Sequence, residues 1–420
     1  MDLIETFGAK IGALSEEKPQ RARQLLTAGF RANGVKNKLA SKRSSKSDRM
    51  LFQLVNRAMV TCLAKPQSNV MVSLFTPCEM LHLQGLHPYS CEGFSSYLSG
   101  AMAEQPFLHQ AEDTGIPNSL CSYHKVFIGA AQMGLMPKPR FILSTSLACD
   151  ANTLTFRHLA QFYDVPHFNV DIPFESSPQA VDYVAGQLRQ MGEFLTRQTG
   201  LPLDDGQLAR TVARSQRTMA LYHRGLRLRA GRQVLSDLTS ELLRTAAFHF
   251  LLGTPETEAY ARQLLREITT APPAQGKQLL WIHTTPYWVA PLRHLFAQST
   301  RVQVAACDMS YEGIVEADPT KPYEAMARRL VYSPFNGPAQ RRIDRALEMA
   351  KTVGADGAVW FCHWGCKHTL GGARLGKKAL EEAGLPTLLL DGDRCDRGFG
   401  GEGQAATRME AFLEVLEGMA

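Results

Sequence analysis

The chain of 420 residues is too long for one hydrophobic core, so two or three domains are expected. With 45% apolar and 20% charged residues it is globular in composition, which excludes collagen-like, disordered and disulfide-scaffold chains. Its 46 basic residues against 40 acidic ones leave a net charge of +6.

The first segment, residues 1–66, reads as helical. Met50, Leu51, Leu54, Val55, Met59 and Leu63 recur at helical spacing behind Ser47 and Asp48 as caps, and Cys62 fits as a small core residue. Much of the positive charge lies here: Arg21, Arg23, Arg31, Lys36, Lys38, Lys42, Arg43, Lys46 and Arg49 meet Asp48 alone. Such a run is a solvated face or a dock for an acidic partner. It lacks the interleaved aromatics of a nucleic-acid stacking platform, so no nucleic acid is expected.

A β/α pattern follows. Asn69–Phe75, Phe141–Ser146 and Val165–Val170 are short apolar runs of strand type, and Ser177–Pro178 starts a helix that runs to about Gly200. Residues 204–270 are helical, with breaks at Gly231 and at Gly253–Thr254–Pro255, and APPAQG at 271–276 is the clearest boundary. Beyond it come strands at Gln278–His283, Val302–Cys307, Ala358–Cys362 and Thr387–Leu390, with helices at Pro338–Val353, at Thr369–Ala383 and toward Met419. The expected architecture is α/β: two Rossmann- or flavodoxin-like parallel-sheet domains, 67–272 and 273–420, with a helical N-terminal segment and a helical connecting region.

The N-terminus carries early acidic residues and no long apolar core, unlike a secretory signal, and no stretch reaches the ~20 apolar residues of a membrane span. A soluble cytoplasmic protein is expected. In that reducing compartment the nine cysteines stand free for metal binding or catalysis.

Cys78, Cys362, Cys366 and Cys395 fall at or just beyond strand ends, in TPCEM, FCHWGCKH and LLLDGDRCD. That edge of an open α/β sheet is where ligands bind. With Cys91 and Cys121 they make a set of six thiols that iron would favour, and the helix starting near Thr369 would aim its N–H groups at them. Lys367, Arg394 and Arg397 add positive charge nearby. Cys149 and Cys307 end strands without a companion cysteine and read as core residues. Zinc competes for the Cys362-His-Trp-Gly-Cys366 spacing, but a second ligand pair close by is missing. A radical-SAM triplet fails because its third cysteine would fall at Thr369. Gly371–Lys378 matches GxxxxGK, yet Lys378 stands where a Ser or Thr would hold Mg²⁺, inside an expected helix.

The segments PCEMLHLQGLHPYSCEGF, LCSYHKVFIGA, FCHWGCKHTLGG and LLLDGDRCDRG resemble the 2-hydroxyacyl-CoA dehydratase and benzoyl-CoA reductase superfamily, from about Asn69 onward. The extra cysteines beside the expected ones are similar to those of its double-cubane cluster proteins. The resemblance implies a double-cubane [8Fe–9S] cluster held by Cys78, Cys91, Cys121, Cys362, Cys366 and Cys395 in a homodimer. It further implies low-potential electrons from a separate ATP-hydrolysing [4Fe–4S] activator, used to reduce a small-molecule substrate. The alternative is a 2-hydroxyacyl-CoA dehydratase subunit, a lyase with one [4Fe–4S] cluster on three cysteines. His363, His124 and Lys125 adjoin the implied ligands and are the expected proton or hydrogen-bond donors. A non-enzymatic electron-transfer or zinc-stabilised scaffold is the third reading.

Overall fold

Short β-branched runs bounded by polar turns form the strands, and longer amphipathic stretches form the helices between them. The computed structural model describes residues 3–39, 44–234, 236–310, 316–399 and 401–419. Lys42 and Arg43 of the basic run, and Gly400 of the loop after Cys395, lie outside them. The first half contributes β1 (Asn69–Val72), β2 (His87–Ser90), β3 (Phe141–Thr145) and β4 (His167–Val170). The second contributes β5 (Lys277–Ile282), β6 (Val302–Cys307), β7 (Gly357–His363) and β8 (Thr387–Gly392).

Among the described residues the strands make two four-stranded sheets, ordered β2-β1-β3-β4 and β6-β5-β7-β8. Every pairing is parallel. The two halves therefore share one flavodoxin-like winding, in which the order reverses between β1 and β3 and again between β5 and β7. Three long helices, Pro178–Thr199, Asp205–Arg229 and Pro255–Thr270, and the shorter Leu238–Phe250 connect them. Ser177, Asp204, Asp237 and Thr254 cap these helices by accepting backbone N–H bonds from Ala180, Gln207, Ser240 and Thr257. No helix among the described residues is long and apolar enough to cross a membrane.

The α/β class with two parallel sheets matches the expectation from sequence. One strand is additional to those expected, and one expected helix changes. β2 carries Pro88 and reads poorly as a strand, but it is a sheet edge pairing with β1 alone, where a missing N–H is tolerated. The helix expected over Thr369–Ala383 is broken into Lys367–Leu370 and Ala373–Glu382. Gly371 and Gly372 thus lie between helices, not inside one. Gly376, within GxxxxGK, packs against the Trp360 indole, where a Cβ would come within 1.9 Å of Cζ3. Helix packing explains that glycine without a nucleotide.

A buried ion pair joins the halves just beyond β1. Glu79 receives both guanidinium nitrogens of Arg329, from the helix Pro322–Val331, at 2.6 and 3.0 Å, and the Ser215 hydroxyl at 2.9 Å. Burial alone would raise its pKa, but Arg329 and the hydrogen bonds hold it below the ordinary carboxylate range. Arg329→Met strands that buried carboxylate and should destabilise the fold by about 3–5 kcal/mol in chemical denaturation at neutral pH. Because the folded pKa is depressed, the loss should shrink as pH falls below the unfolded value of 4.5.

Asp48 is the opposite case. Burial raises its carboxyl to about 6, against the attraction of Arg244. A raised folded pKa stabilises fully below the unfolded value of 3.8, and that contribution is lost as pH rises through about 6. Thermal unfolding should show Asp48→Asn gaining on the wild type between those two values. Parallel pH profiles would contradict this assignment.

Candidate metal centre

The carboxyl edges of the two sheets face each other across a largely apolar cavity of about 170 Å³. That is close to the ~150 Å³ of engineered cavities that take up benzene. Leu74 and Phe75 beyond β1, Ala148 and Cys149 beyond β3, His283 beyond β5, and His363 and Cys366 at the end of β7 all line it. Both points of strand-order reversal thus open onto one space, as expected for a ligand site in such sheets.

Three cysteines meet here. Cys121 and Cys149 occupy the positions just before the helices Ser122–Gln132 and Asp150–Tyr163, and Cys366 precedes the short helix Lys367–Leu370. The first two stand at helix N-termini, where free N–H groups favour a thiolate. Burial pushes the Cys121 thiol well up, and the charges of Cys366 and Cys149 push it further. Cys149 is raised to about 12, by burial and then by Cys366. The three thiols are therefore near enough to repel one another once ionised. A soft cation among them would remove that cost.

The backbone brings them together. Gly365 has a φ of +77°, and a Cβ there would come within 2.7 Å of the Cys121 backbone N and Cα. Only glycine fits both constraints. On the other side Ala148 takes a φ of +70° immediately before Cys149.

His363 ties this arrangement to β7. The Arg394 backbone N–H donates to Nδ1 at 3.1 Å, so the neutral ring keeps its proton on Nε2 and donates it to Cys121 Sγ at 3.2 Å. Burial lowers the His363 pKa and keeps the ring uncharged. His124 also faces the cavity, holds Thr155 Oγ1 at 3.0 Å, and is lowered to about 4 by burial and then by His363. Lys125 turns away into an ion pair with Glu112 at 2.6 Å and a bond to the Asn118 carbonyl.

Of the six cysteines singled out by sequence, Cys121 and Cys366 line the cavity, and Cys78, Cys91, Cys362 and Cys395 do not. Cys78 donates to the Thr76 carbonyl within the larger apolar core. Cys91 and Cys395 sit in the second core cluster. Cys362 alternates with His363 along β7, so it points to the opposite face, toward Asp391 and Arg408. Cys62 and Cys307 do reach the cavity wall, but donate to the carbonyls of Pro88 and His283.

The profile of the "2-hydroxyglutaryl-CoA dehydratase, D-component" family matches residues 73–416. The chain belongs to that family. It is also similar to the (R)-phenyllactyl-CoA dehydratase alpha subunit of Clostridium sporogenes, at 22% identity over 337 residues, covering 74% of this chain and 80% of that protein.

A member of this family is expected to carry an iron–sulfur cluster, and the cavity fits one. Three soft donors, an N–H aimed at one sulfur and an apolar wall are what a cubane with one uncoordinated iron would need. No group of three or more His, Cys, Asp or Glu side chains among the described residues is arranged for a single metal ion. A cubane binds each thiolate at a different iron and so needs its sulfurs spread apart.

Cys149, without a companion cysteine, reads from sequence as a core residue, yet it lines the cavity. The available signal was its place: directly before Asp150 at a helix start, just past a strand, in the same kind of position as Cys78. Gly365→Ala should cost about 1–3 kcal/mol of stability from the left-handed backbone alone. It should also lower iron retained after anaerobic reconstitution. An unchanged unfolding midpoint and full iron would contradict the close approach to Cys121.

Proposed function

We propose that this chain is the cluster-bearing subunit of a 2-hydroxyacyl-CoA dehydratase, with one [4Fe–4S] cluster on Cys121, Cys149 and Cys366. The observation that carries the reading is the meeting of three thiols, two from the first half and one from the second, on one largely apolar cavity. When bound, such a cluster supplies low-potential single-electron chemistry and an open iron for a substrate oxygen. The chain's own residues hold its ligands and exclude water. His363 Nε2–H supports the Cys121 sulfur, Leu74, Phe75 and Phe335 keep the space dry, and Arg342 holds Thr369, whose hydroxyl lies 3.5 Å from Cys366 Sγ.

The larger double-cubane core would call on Cys78, Cys91, Cys362 and Cys395 as well. Their places in two apolar cores and on the far face of β7 favour the single cluster, and with it the lyase over the reductase. The relative is named as an alpha subunit, which supports a second subunit as partner rather than a homodimer. Electrons would come from the ATP-hydrolysing activator that the family resemblance implies.

Anaerobic reconstitution followed by iron and acid-labile sulfide analysis tests this directly. About four irons per chain are expected, and about eight would overturn the single-cluster reading. Ala at Cys121, Cys149 or Cys366 should each lower iron content and alter the visible spectrum, whereas Cys362→Ala and Cys395→Ala should leave both intact. Binding of (R)-phenyllactyl-CoA, the thioester in the relative's name, tests the substrate class.

A further inference from the structure

His283 follows β5 directly and takes a φ of +79°, a left-handed backbone that a residue other than glycine seldom adopts. The strain is held in place from several sides. The His283 backbone N–H donates to Asp308 Oδ1 at 2.7 Å, its carbonyl accepts the Cys307 thiol at 3.4 Å, and Asp308 is fixed by a buried ion pair with Arg342 at 2.8 Å. The imidazole consequently faces the cavity. There both ring nitrogens are buried without a hydrogen-bond partner.

The other histidines on the cavity differ. His124 bonds Thr155, His363 bonds Cys121 and the Arg394 N–H, and His368 bonds the Phe335 carbonyl. Buried polar groups are almost always paired, and one that is not calls for a partner absent from the chain itself. Backbone strain and an unsatisfied ring at the same residue are the pattern of a ligand-binding position.

We propose that His283 binds the substrate in this cavity, donating a ring N–H to an oxygen of the acyl group, either its 2-hydroxyl or its thioester carbonyl. The proposal rests on the 2-hydroxyacyl thioester reading above. Burial, with Arg342 nearby, holds the ring's pKa well below its ordinary value, so it stays uncharged and polarises the oxygen without giving up its proton. The His283 ring also packs 5.8 Å from that of His363, which bonds Cys121. A ligand held by His283 is thereby one ring away from a proposed cluster ligand.

The test compares the full-length reconstituted wild type with H283L, H283Q and H283N. Iron content, visible spectrum and equilibrium binding of (R)-phenyllactyl-CoA are measured for each. H283L should keep its iron and spectrum and lose at least tenfold in affinity, and H283Q, which restores an N–H near the ring position, should recover most of it. Should H283L lose iron, H283N decides, since asparagine tolerates the left-handed backbone but is too short to reach; wild-type affinity in that variant overturns the proposal. Equal affinity of H283L and wild type overturns it too, while leaving the dehydratase reading intact. A wild type that carries four irons and binds no thioester overturns both.

Discussion

The site depends on one close approach: the loop after β7 lying directly on the backbone of Cys121. Gly365 has no room for a side chain there. Contact at that point places Cys366 and His363, from the second sheet, against a residue of the first half more than 240 positions earlier. The same approach brings two separate sheet edges onto one shared cavity. Without it the two edges would be separate crevices.

The surroundings are built to keep that approach rigid. Glu79 and Arg329 lock the short helix Glu79–Leu83 to the second half, and Asp308 and Arg342 lock the turn after β6 to the helix Ala339–Val353. These are buried charges, which contribute little net stability but strongly penalise any arrangement that separates them. Two non-glycine residues on the cavity, Ala148 and His283, hold left-handed backbone. Strain of this kind persists only where the surrounding structure over-determines it, and it clusters at functional sites.

Much of this was legible in the sequence. Strand runs such as Val302–Cys307, and the helix start at Ser177–Pro178, come from local chemistry, and they point to the α/β class. The family resemblance pointed to thiols at the sheet edges. What sequence could not carry was the direction in which each thiol points. Cys362 and Cys366 are four residues apart, yet strand alternation sends the first to the far face, and only the turn at Gly365 brings the second to the cavity. Cys149 carries no local signal beyond a helix start, and it comes near Cys121 through the packing of the helices Ser122–Gln132 and Asp150–Tyr163 in the first half. β2 carries no clear strand signal, because Pro88 argues against a strand everywhere except at an edge.

Anomalous diffraction at the iron edge from anaerobic crystals of the reconstituted protein addresses the central claim most directly. One compact iron peak bounded by the sulfurs of Cys121, Cys149 and Cys366 is the result expected. Iron centred instead on Cys362 and Cys395, or two linked peaks drawing on Cys78 and Cys91, would contradict it.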